Sequence, residues 1–535
     1  MRPSRKVYRS YTLDQPLLLP PDVRDWVPED HLALFVYDIV SELDLSQVFA
    51  VYEKGDCRGK PPYHPRLMTA LLLYAYAVGM PSSRKIEAAT YTDVAFRVLS
   101  ADQHPDHASI AEFRQRHLSS LAGLFVQVLQ LCQKAGLVKL GHVSLDGTKI
   151  LANASKHKAM SYDRMCKSEK QLQQEVDHLL QQAEQVDAQE DARYGKDKRG
   201  DELPEELSRR QSRLAVIRAA KAALEAEAKE KAREEAEAAQ RKRDERARYE
   251  AETGKKAKGR TPVVKDPEKA VPEAKAQRNF TDPESKIMKD GATGSFVQAY
   301  NAQAAVDSHC QIIVAASVTS GANDRDQLLP MLCQVAQNAG TMTMPRIVSA
   351  DCGYFNHEQL ESPLLSDVDL YVPPCRERTL PSKDSRFASD LARSMRAKLN
   401  TIAGKSIYSR RKAIVEPVFG QTKEVRGFRR FSFRGRVKTD QEWSLVCLTH
   451  NLLKLFRYGD GGSGSRPDAD LQGPQGSLPP SSQTPQSGAK GDCKGGVTKK
   501  SFVERLIRSG ERAGATNSLS SWHLDNRPWI IPTGS

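Results

Sequence analysis

The chain has 535 residues, 39% of them hydrophobic and 27% charged. That is more than one compact domain needs and suggests about three or four at roughly 100–200 residues each; with aromatic residues at only 7%, folded parts joined to solvated ones are expected, which excludes both disorder throughout and one uniform enzyme core. Lys and Arg outnumber Asp and Glu by 80 to 67, a formal net charge of +13 that favours polyanionic partners, either nucleic acid or an anionic membrane surface.

No stretch reaches the roughly 18–20 uninterrupted apolar residues of a membrane span. The basic run Met1 to Thr12 leads only into Leu17-Leu18-Leu19 and two prolines, too short an apolar core for a secretory signal. Nucleic acid is therefore the expected partner, and no membrane. The nine cysteines, scattered from Cys57 to Cys493 without a CxxC pair, resemble neither a zinc site nor a disulfide framework and suit a reduced, intracellular protein.

Residues 62 to 117 read as a cluster of short helices, with an apolar run from Leu67 to Val78, a break at Gly79-Met80-Pro81-Ser82 and renewed helical periodicity beyond. Ser109 and Glu112 form a capping box expected to open the last of them. Arg84, Lys85, Arg97, Arg114 and Arg116 decorate these helices, and spacing alone leaves open a plain bundle with a solvated basic face or a helix-turn-helix-like DNA binder.

From Gly141 the pattern changes to a strand, in which Val143 and Leu145 alternate with Ser144 and Asp146. Residues 166 to about 258 then interrupt it. They are rich in Ala, Glu, Lys, Arg and Gln, with Leu172, Val176, Leu179, Ala183 and Val186 at helical spacing, a Gly195/Gly200/Pro204 break, and Leu207, Leu214, Ile217 and Leu224 at heptad-like intervals. The expectation is a helical hairpin forming a solvated arm, with self-association or DNA clamping as the sharper alternative.

Strands resume after a loop. Tyr300, Ala302, Ala304 and Val306 share one face, Ile312 to Val318 is continuously apolar, and a helix starts within Asp326 to Val335. A strand from Arg346 to Asp351, a short helix from Asn356, a strand from Val368 to Val372 and basic helical sequence to about Arg457 follow. Without the hairpin the order is three strands, helix, strand, helix, strand, helix, an α/β layer on a mixed sheet. After Tyr458 the chain is Gly/Ser/Pro/Gln-rich, too polar to order itself, with a marginal amphipathic helix at 500 to 512.

Three acids stand out. Asp146 precedes Gly147-Thr148 and Asp351 precedes Cys352-Gly353-Tyr354, each at a strand end followed by small residues, where open α/β proteins place their sites. Glu416 follows 65 residues after Asp351, flanked by Ile414, Val415, Val418 and Phe419. Converging carboxylates suit Mg²⁺ or Mn²⁺, hard ions that keep several waters, and two ions about 3.5–4 Å apart serve phosphodiester chemistry. His142, His157, His357 and His450 are read as structural or substrate-facing. Taken singly, each acid also has an ordinary explanation as a turn cap, a helix start or an ion-pair partner.

Residues 376 to 438 hold 18 Lys and Arg against 5 Asp and Glu, so the positive field surrounds Glu416. Tyr408, Lys412, Glu416 and Gly420 recur every four residues with Lys423 beyond, so that one helical face would offer an acid for metal and cations for phosphate. Phe428, Phe431 and Phe433 interleave with Arg429, Arg430, Arg434 and Arg436, a pattern that fits base or sugar packing beside phosphate contacts. Pro417 disturbs this scheme, since it disfavours a helical Glu416 and either starts a new helix or kinks the old one.

Several stretches together carry a family resemblance: His64-Pro65-Arg66-Leu67 through Arg114-Gln115-Arg116-His117, Ser144-Leu145-Asp146-Gly147-Thr148-Lys149-Ile150, Thr281-Asp282-Pro283-Glu284-Ser285, Tyr300-Asn301-Ala302-Gln303, Ser349-Ala350-Asp351-Cys352-Gly353-Tyr354 and Val415-Glu416-Pro417-Val418-Phe419-Gly420. Across about residues 10 to 457 the chain resembles the DDE transposases of bacterial insertion sequences, in the branch related to the insertion-sequence-four and insertion-sequence-five groups, and within it family eleven-eighty-two.

The resemblance implies an α/β RNase H-like catalytic domain, a mixed sheet flanked by helices, with an all-helical N-terminal domain and an inserted helical hairpin. It implies Asp146, Asp351 and Glu416 as catalytic acids and metal ligands with two Mg²⁺ or Mn²⁺ ions, and double-stranded DNA, with no small-molecule substrate, as what they act on. Lys423 is the lysine that follows the glutamate, and Lys412, Lys423 and Arg426 would hold backbone phosphate, alongside Arg411, Tyr408, Arg429, Arg430, Arg84, Lys85, Arg114 and Arg116 as DNA contacts. The related signature places a tyrosine and an arginine seven and four residues before the glutamate; this chain has Ser409 and Lys412 there, with Tyr408 and Arg411 displaced by one.

The implied domains are 1–135 (DNA-binding), 136–165 with 281–457 (catalytic), 166–280 (arm and linker) and 458–535 (tail). The implied activity is binding of terminal inverted repeats, cleavage and strand transfer by a homodimer on DNA, in a bacterial, nucleoid-associated cytoplasmic setting. The alternatives are a nuclease that cuts without joining and a DNA-binding protein that no longer catalyses.

Overall fold

The computed structural model describes residues 22–53, 61–194, 205–254, 259–291, 294–340, 344–375 and 389–459, with only the backbone for 182–194 and 205–208. The basic N-terminal run, the hairpin break at 195 to 204 and the polar tail, with its marginal helix, lie outside the described residues, as do the side chains of Ala183, Val186 and Leu207.

The N-terminal region is helical: α1 (Leu32–Glu42), α2 (Ser46–Glu53), α3 (Pro65–Ala77), α4 (Ser83–Thr92), α5 (Val94–Leu99), α6 (His107–Arg116) and α7 (Leu118–Lys134). Proline suits the first turn of α3, where its missing N–H costs nothing, and the His64 ring accepts from the Arg66 amide at 3.3 Å. From Met68 to Ala77 every side chain of α3 is buried, as a helix apolar on all sides requires. The expected capping box is corrected: Asp106 caps α6, accepting from the Ser109 amide at 2.9 Å and the Ser109 hydroxyl at 2.8 Å, because a carboxylate one turn earlier outcompetes the serine as acceptor.

Next come β1 (His142–Leu151), β2 (Ala159–Ser161), α8 (Tyr162–Tyr194), α9 (Glu205–Thr253), β3 (Gln277–Asn279), β4 (Lys286–Lys289), β5 (Phe296–Asp307) and β6 (Ile313–Thr319). The chain continues through α10 (Leu328–Asn338), β7 (Ile347–Ala350), α11 (His357–Leu360), β8 (Asp369–Tyr371), α12 (Asp390–Asn400), α13 (Ile402–Gly420) and α14 (Arg436–Tyr458). The main sheet runs β4-β5-β1-β7-β8, and β6 also pairs with β5. The β1–β5 and β5–β6 pairs are antiparallel, whereas β1–β7 and β7–β8 are parallel. The mixed sheet and the strand-helix order match expectation; β2, β3 and β4 occupy stretches where no strand is expected.

Side chains satisfy the outer edge of β6. Asn451 of α14 bonds both the amide and the carbonyl of Ile313, Asn338 and Gln334 of α10 donate to Val314 and Ala316, and Asp440 accepts from Val318. An edge so covered offers no template for a foreign strand. One apolar core runs from α1, α3 and α7 through β1, β5 and β6 to α14.

The arm leaves and returns through a small antiparallel ribbon of β2 and β3. Met165 and Leu172 of α8 pack against Leu214, Ile217, Ala220 and Leu224 of α9 in a separate small cluster. This is the expected hairpin.

Candidate active site

Parallel pairing sets Leu145 beside Ala350 as the last rung between β1 and β7. The next residue on each strand is an aspartate, so Asp146 and Asp351 leave the carboxyl edge of the parallel pair next to one another. Backbone amides hold both carboxylates: Asp146 accepts from the Gly147 amide at 2.8 Å, and Asp351 caps a 3₁₀ turn through the Gly353 amide at 2.8 Å.

Arg411 of α13 reaches this edge and pairs with Asp146, Nη1 to Oδ2, at 3.2 Å. Arg411 is only 9% exposed, and its guanidinium lies 5.9 Å from the centre of the Tyr408 ring. Burial pushes Asp146 up to about 6; Arg411 opposes that rise, and the charges of Asp351 and Asp324 add to it. Burial works against the Arg411 charge too, but Asp146, Tyr408 and Asp351 outweigh it and hold its pKa above the ordinary value.

Asp324, in the loop after β6, is the acid that sequence reasoning missed. Its Oδ1 accepts from Asn301 Nδ2 and Gln303 Nε2, both at 2.6 Å. Those amides stand on β5 opposite Lys149 and Gly147. Gly147 is required there: a Cβ would lie 2.4 Å from Gln303 Nε2 and 2.6 Å from Asp324 Oδ1. Buried Tyr354 donates to the other end of the Gln303 amide. Lys149 donates to the Ala322 carbonyl at 2.9 Å; burial lowers its pKa, against the pull of Asp324, Asp351 and Asp146.

Glu416 differs from these acids in its burial. On α13 the buried positions are Gly404, Arg411, Ile414, Val415, Val418 and Phe419. Glu416 lies about 140° round the helix from Arg411 at ~100° per residue and is exposed, as is Lys412. The displaced pair Tyr408 and Arg411, rather than Ser409 and Lys412, therefore lies on the acid side. Pro417 neither ends α13 nor begins a new helix, for α13 continues to Gly420. The carbonyl it deprives of a partner, that of Ala413, accepts from Gln311 Nε2 at 2.9 Å.

The expected DNA contacts divide. Lys412, Arg429, Arg430, Arg84, Lys85 and Arg116 are exposed and Lys423 is half-buried; Arg429 pairs with Glu424 and Arg116 with Glu112. Burial lowers the pKa of Lys423. Two expectations are corrected. Arg426 is 4% exposed and spends its guanidinium on the carbonyls of Tyr76 and Val446 at 3.1–3.2 Å and on the Thr449 hydroxyl. Arg114, 8% exposed, donates to the Tyr76 hydroxyl, the Pro81 carbonyl and the Ser83 hydroxyl. Both guanidiniums are buried and turned inward as internal braces.

Phe428 and Phe431 are core residues in edge-to-face contact, and Phe431 meets Tyr300 likewise; Phe433 lies under Arg114, 5.5 Å from its guanidinium. They do not form a base-stacking surface. The ring of His142 bonds Ser349 at 2.8 Å and that of His450 the Gln311 carbonyl at 2.9 Å.

Among the described residues no three His, Cys, Asp or Glu side chains close into a ready metal cage. No helix among them is long and apolar enough to cross a membrane.

Two family models match the chain. Residues 21–116, covering α1 to α6, match the transposase domain described as Transposase domain (DUF772), and residues 376–456, covering α12, α13 and most of α14, match the Transposase DDE domain. No curated protein and no solved structure matches. The two matched segments, one at each end of a mixed α/β fold with the paired aspartates between them, support a transposase function, that of an enzyme acting on DNA.

Proposed function

We propose that this chain binds the terminal inverted repeats of its own insertion sequence, hydrolyses phosphodiester bonds at the ends and transfers the freed 3′-hydroxyls to target DNA. Its catalytic region (136–165 and 281–457) is read as RNase H-like, the N-terminal helices (1–135) as the DNA-binding part, and the assembly on DNA as a homodimer, since two ends must be cut together. The single observation that carries the proposal is the pair Asp146 and Asp351 at the carboxyl edge of β1 and β7, beside an arginine and next to segments that match transposase models.

The donor set suits a hard divalent ion. Asp146 and Asp351 offer oxygen, and Mg²⁺ needs only one or two carboxylates when water and substrate phosphate fill the remaining positions. When bound, such an ion supplies charge neutralisation and an activated oxygen nucleophile. Glu416, exposed on the same helix as Arg411, is the third acid of the proposal. Arg411 holds Asp146 in place and leaves its positive charge where a strand's phosphate would approach; Lys412, Lys423, Arg429 and Arg430 extend that field, and Arg84, Lys85 and Arg116 supply cations on the helical part. The protein's contribution to phosphoryl transfer is mainly this positioning and charge.

The test is a Mg²⁺-dependent assay on DNA carrying the element's ends, scoring cleavage and covalent joining to a labelled plasmid. Asp146→Ala and Asp351→Ala are expected to abolish both; wild-type activity in Asp146→Ala refutes the assignment. Cleavage without joining identifies a nuclease instead, and a gel shift without either a DNA-binding protein.

A further inference from the structure

We propose that Asp324 is a metal-binding carboxylate of this site, contributing to the cation's shell from the loop after β6 together with Asp146 and Asp351. The inference rests on the reading of Asp146 and Asp351 as metal ligands, and it deepens that reading by naming a further acid at the same sheet edge, which closes on a cation with them when one binds.

Four observations carry it. First, both hydrogen bonds to the Asp324 side chain fall on one oxygen, Oδ1, from Asn301 and Gln303 at 2.6 Å. The carboxylate is thereby fixed in orientation with its second oxygen turned to Gly353. Secondly, the position of a Cβ on Gly353 is 2.9 Å from Asp351 Oδ1 and 3.3 Å from Asp324 Oδ2, so one point on a bare glycine faces an oxygen from each aspartate.

Thirdly, Asn301 is fully buried and its Oδ1 has no hydrogen-bond partner among the described residues. That oxygen lies 2.9 Å from where a Gly147 Cβ would stand, a point itself 2.6 Å from Asp324 Oδ1. A buried carbonyl oxygen without a donor is costly, and a cation or its bound water would satisfy it. Finally, the charges of Asp351 and Asp324 both bear on Asp146, and all three acids bear on Lys149. If Asp324 only anchored its loop, an uncharged asparagine would serve equally well and would not add a third negative charge to a half-buried edge.

The experiment measures Mn²⁺ binding to the full chain without DNA, from the electron paramagnetic resonance signal of free Mn²⁺. Asp324→Asn keeps an oxygen to accept from Asn301 and Gln303 and removes only the charge; it is expected to weaken Mn²⁺ binding about tenfold or more, comparably to Asp351→Asn, with an unchanged circular dichroism spectrum. Gly353→Ala, which keeps every charge and crowds Asp351 against Asp324, is expected to weaken binding too, and it decides the matter if Asp324→Asn does not fold. Wild-type affinity in a folded Asp324→Asn, while Asp351→Asn loses it, overturns the inference and leaves the two-aspartate reading standing. Unchanged affinity in Asp146→Asn and Asp351→Asn as well brings down both.

Discussion

The body of the molecule and its inserted arm are both rich in helix, yet different forces hold them. In the body one core joins α3 and α7 to the sheet and α14, and polar groups cross-link it from inside. Glu442 accepts from the amides of Ser432 and Phe433 and from the Tyr76 hydroxyl, which Arg114 also contacts. The arm has a small cluster of six apolar side chains at its root, with Val176 buried nearby, and ion pairs along its flanks such as Glu169–Lys221 at 2.9 Å, Glu169–Arg218 at 3.1 Å and Glu175–Arg210 at 3.1 Å. At 49 residues, α9 extends about 74 Å at ~1.5 Å per residue, so most of its surface meets water. Stability follows buried apolar area far more than exposed ion pairs; the arm is therefore expected to open locally while the body stays folded.

Four substitutions probe that contrast. The largest effect is expected at Arg426. Burial lowers its pKa to about 10, so it remains charged at neutral pH, and Arg426→Ala would leave a cavity and strip donors from the buried carbonyls of Tyr76 and Val446. Urea denaturation should show a loss of roughly 3–5 kcal/mol across the whole body. Gly79 (φ +81°), where a Cβ would meet the Arg426 carbonyl at 2.7 Å, shows how tightly α3 sits on this brace.

In the arm, Ile217→Ala should cost roughly 2–3 kcal/mol, but only there: amide exchange in α8 and α9 should quicken while exchange in β1 and β5 stays put. Loss of protection in the sheet would break the comparison.

The next effect depends on pH. Burial, followed by the charge of Lys454, pushes His450 down to about 3 from an ordinary value of 6.5. The unfolded chain takes up that proton below about pH 6.5 and the folded chain does not. Stability therefore falls as pH drops through the window from 6.5 to about 3, by up to ~1.4 kcal/mol per pH unit for this group. His450→Gln, which retains a donor for the Gln311 carbonyl, should flatten the fall in unfolding free energy measured from about pH 6 to 4. A slope as steep as that of the wild type would place the acid sensitivity elsewhere.

The smallest effect is expected at Glu169. Its two ion pairs are partly exposed, so Glu169→Gln should cost below about 1 kcal/mol, read as at most a few-fold change in amide exchange along α8.

Much of this was legible from residue order. An alternating apolar face marked β5 and a continuous apolar run β6, the Ala/Glu/Lys/Arg stretch marked the arm, and acids at strand ends marked Asp146 and Asp351. Asp324 was illegible because it sits in the polar loop Asn323-Asp324-Arg325-Asp326, where no periodicity separates a site residue from a solvated one. Arg426 and Arg114 were misread for a related reason: a basic run reports charge, not which cations fold inward.

The alternation of apolar and polar residues along the chain thus determined the helical arm, the strands β1 and β5 to β8, their order and the two aspartates placed at strand ends, because backbone period and side-chain polarity are local properties. Tertiary structure alone decided the rotational phase of α13, which turns Arg411 and Tyr408 towards the acids and Glu416 to solvent, and the placing of Asp324 against Asn301 and Gln303 beside Gly147 and Gly353. Those outcomes depend on which buried face each helix and loop finds against the sheet, a choice made by packing between residues far apart in the chain.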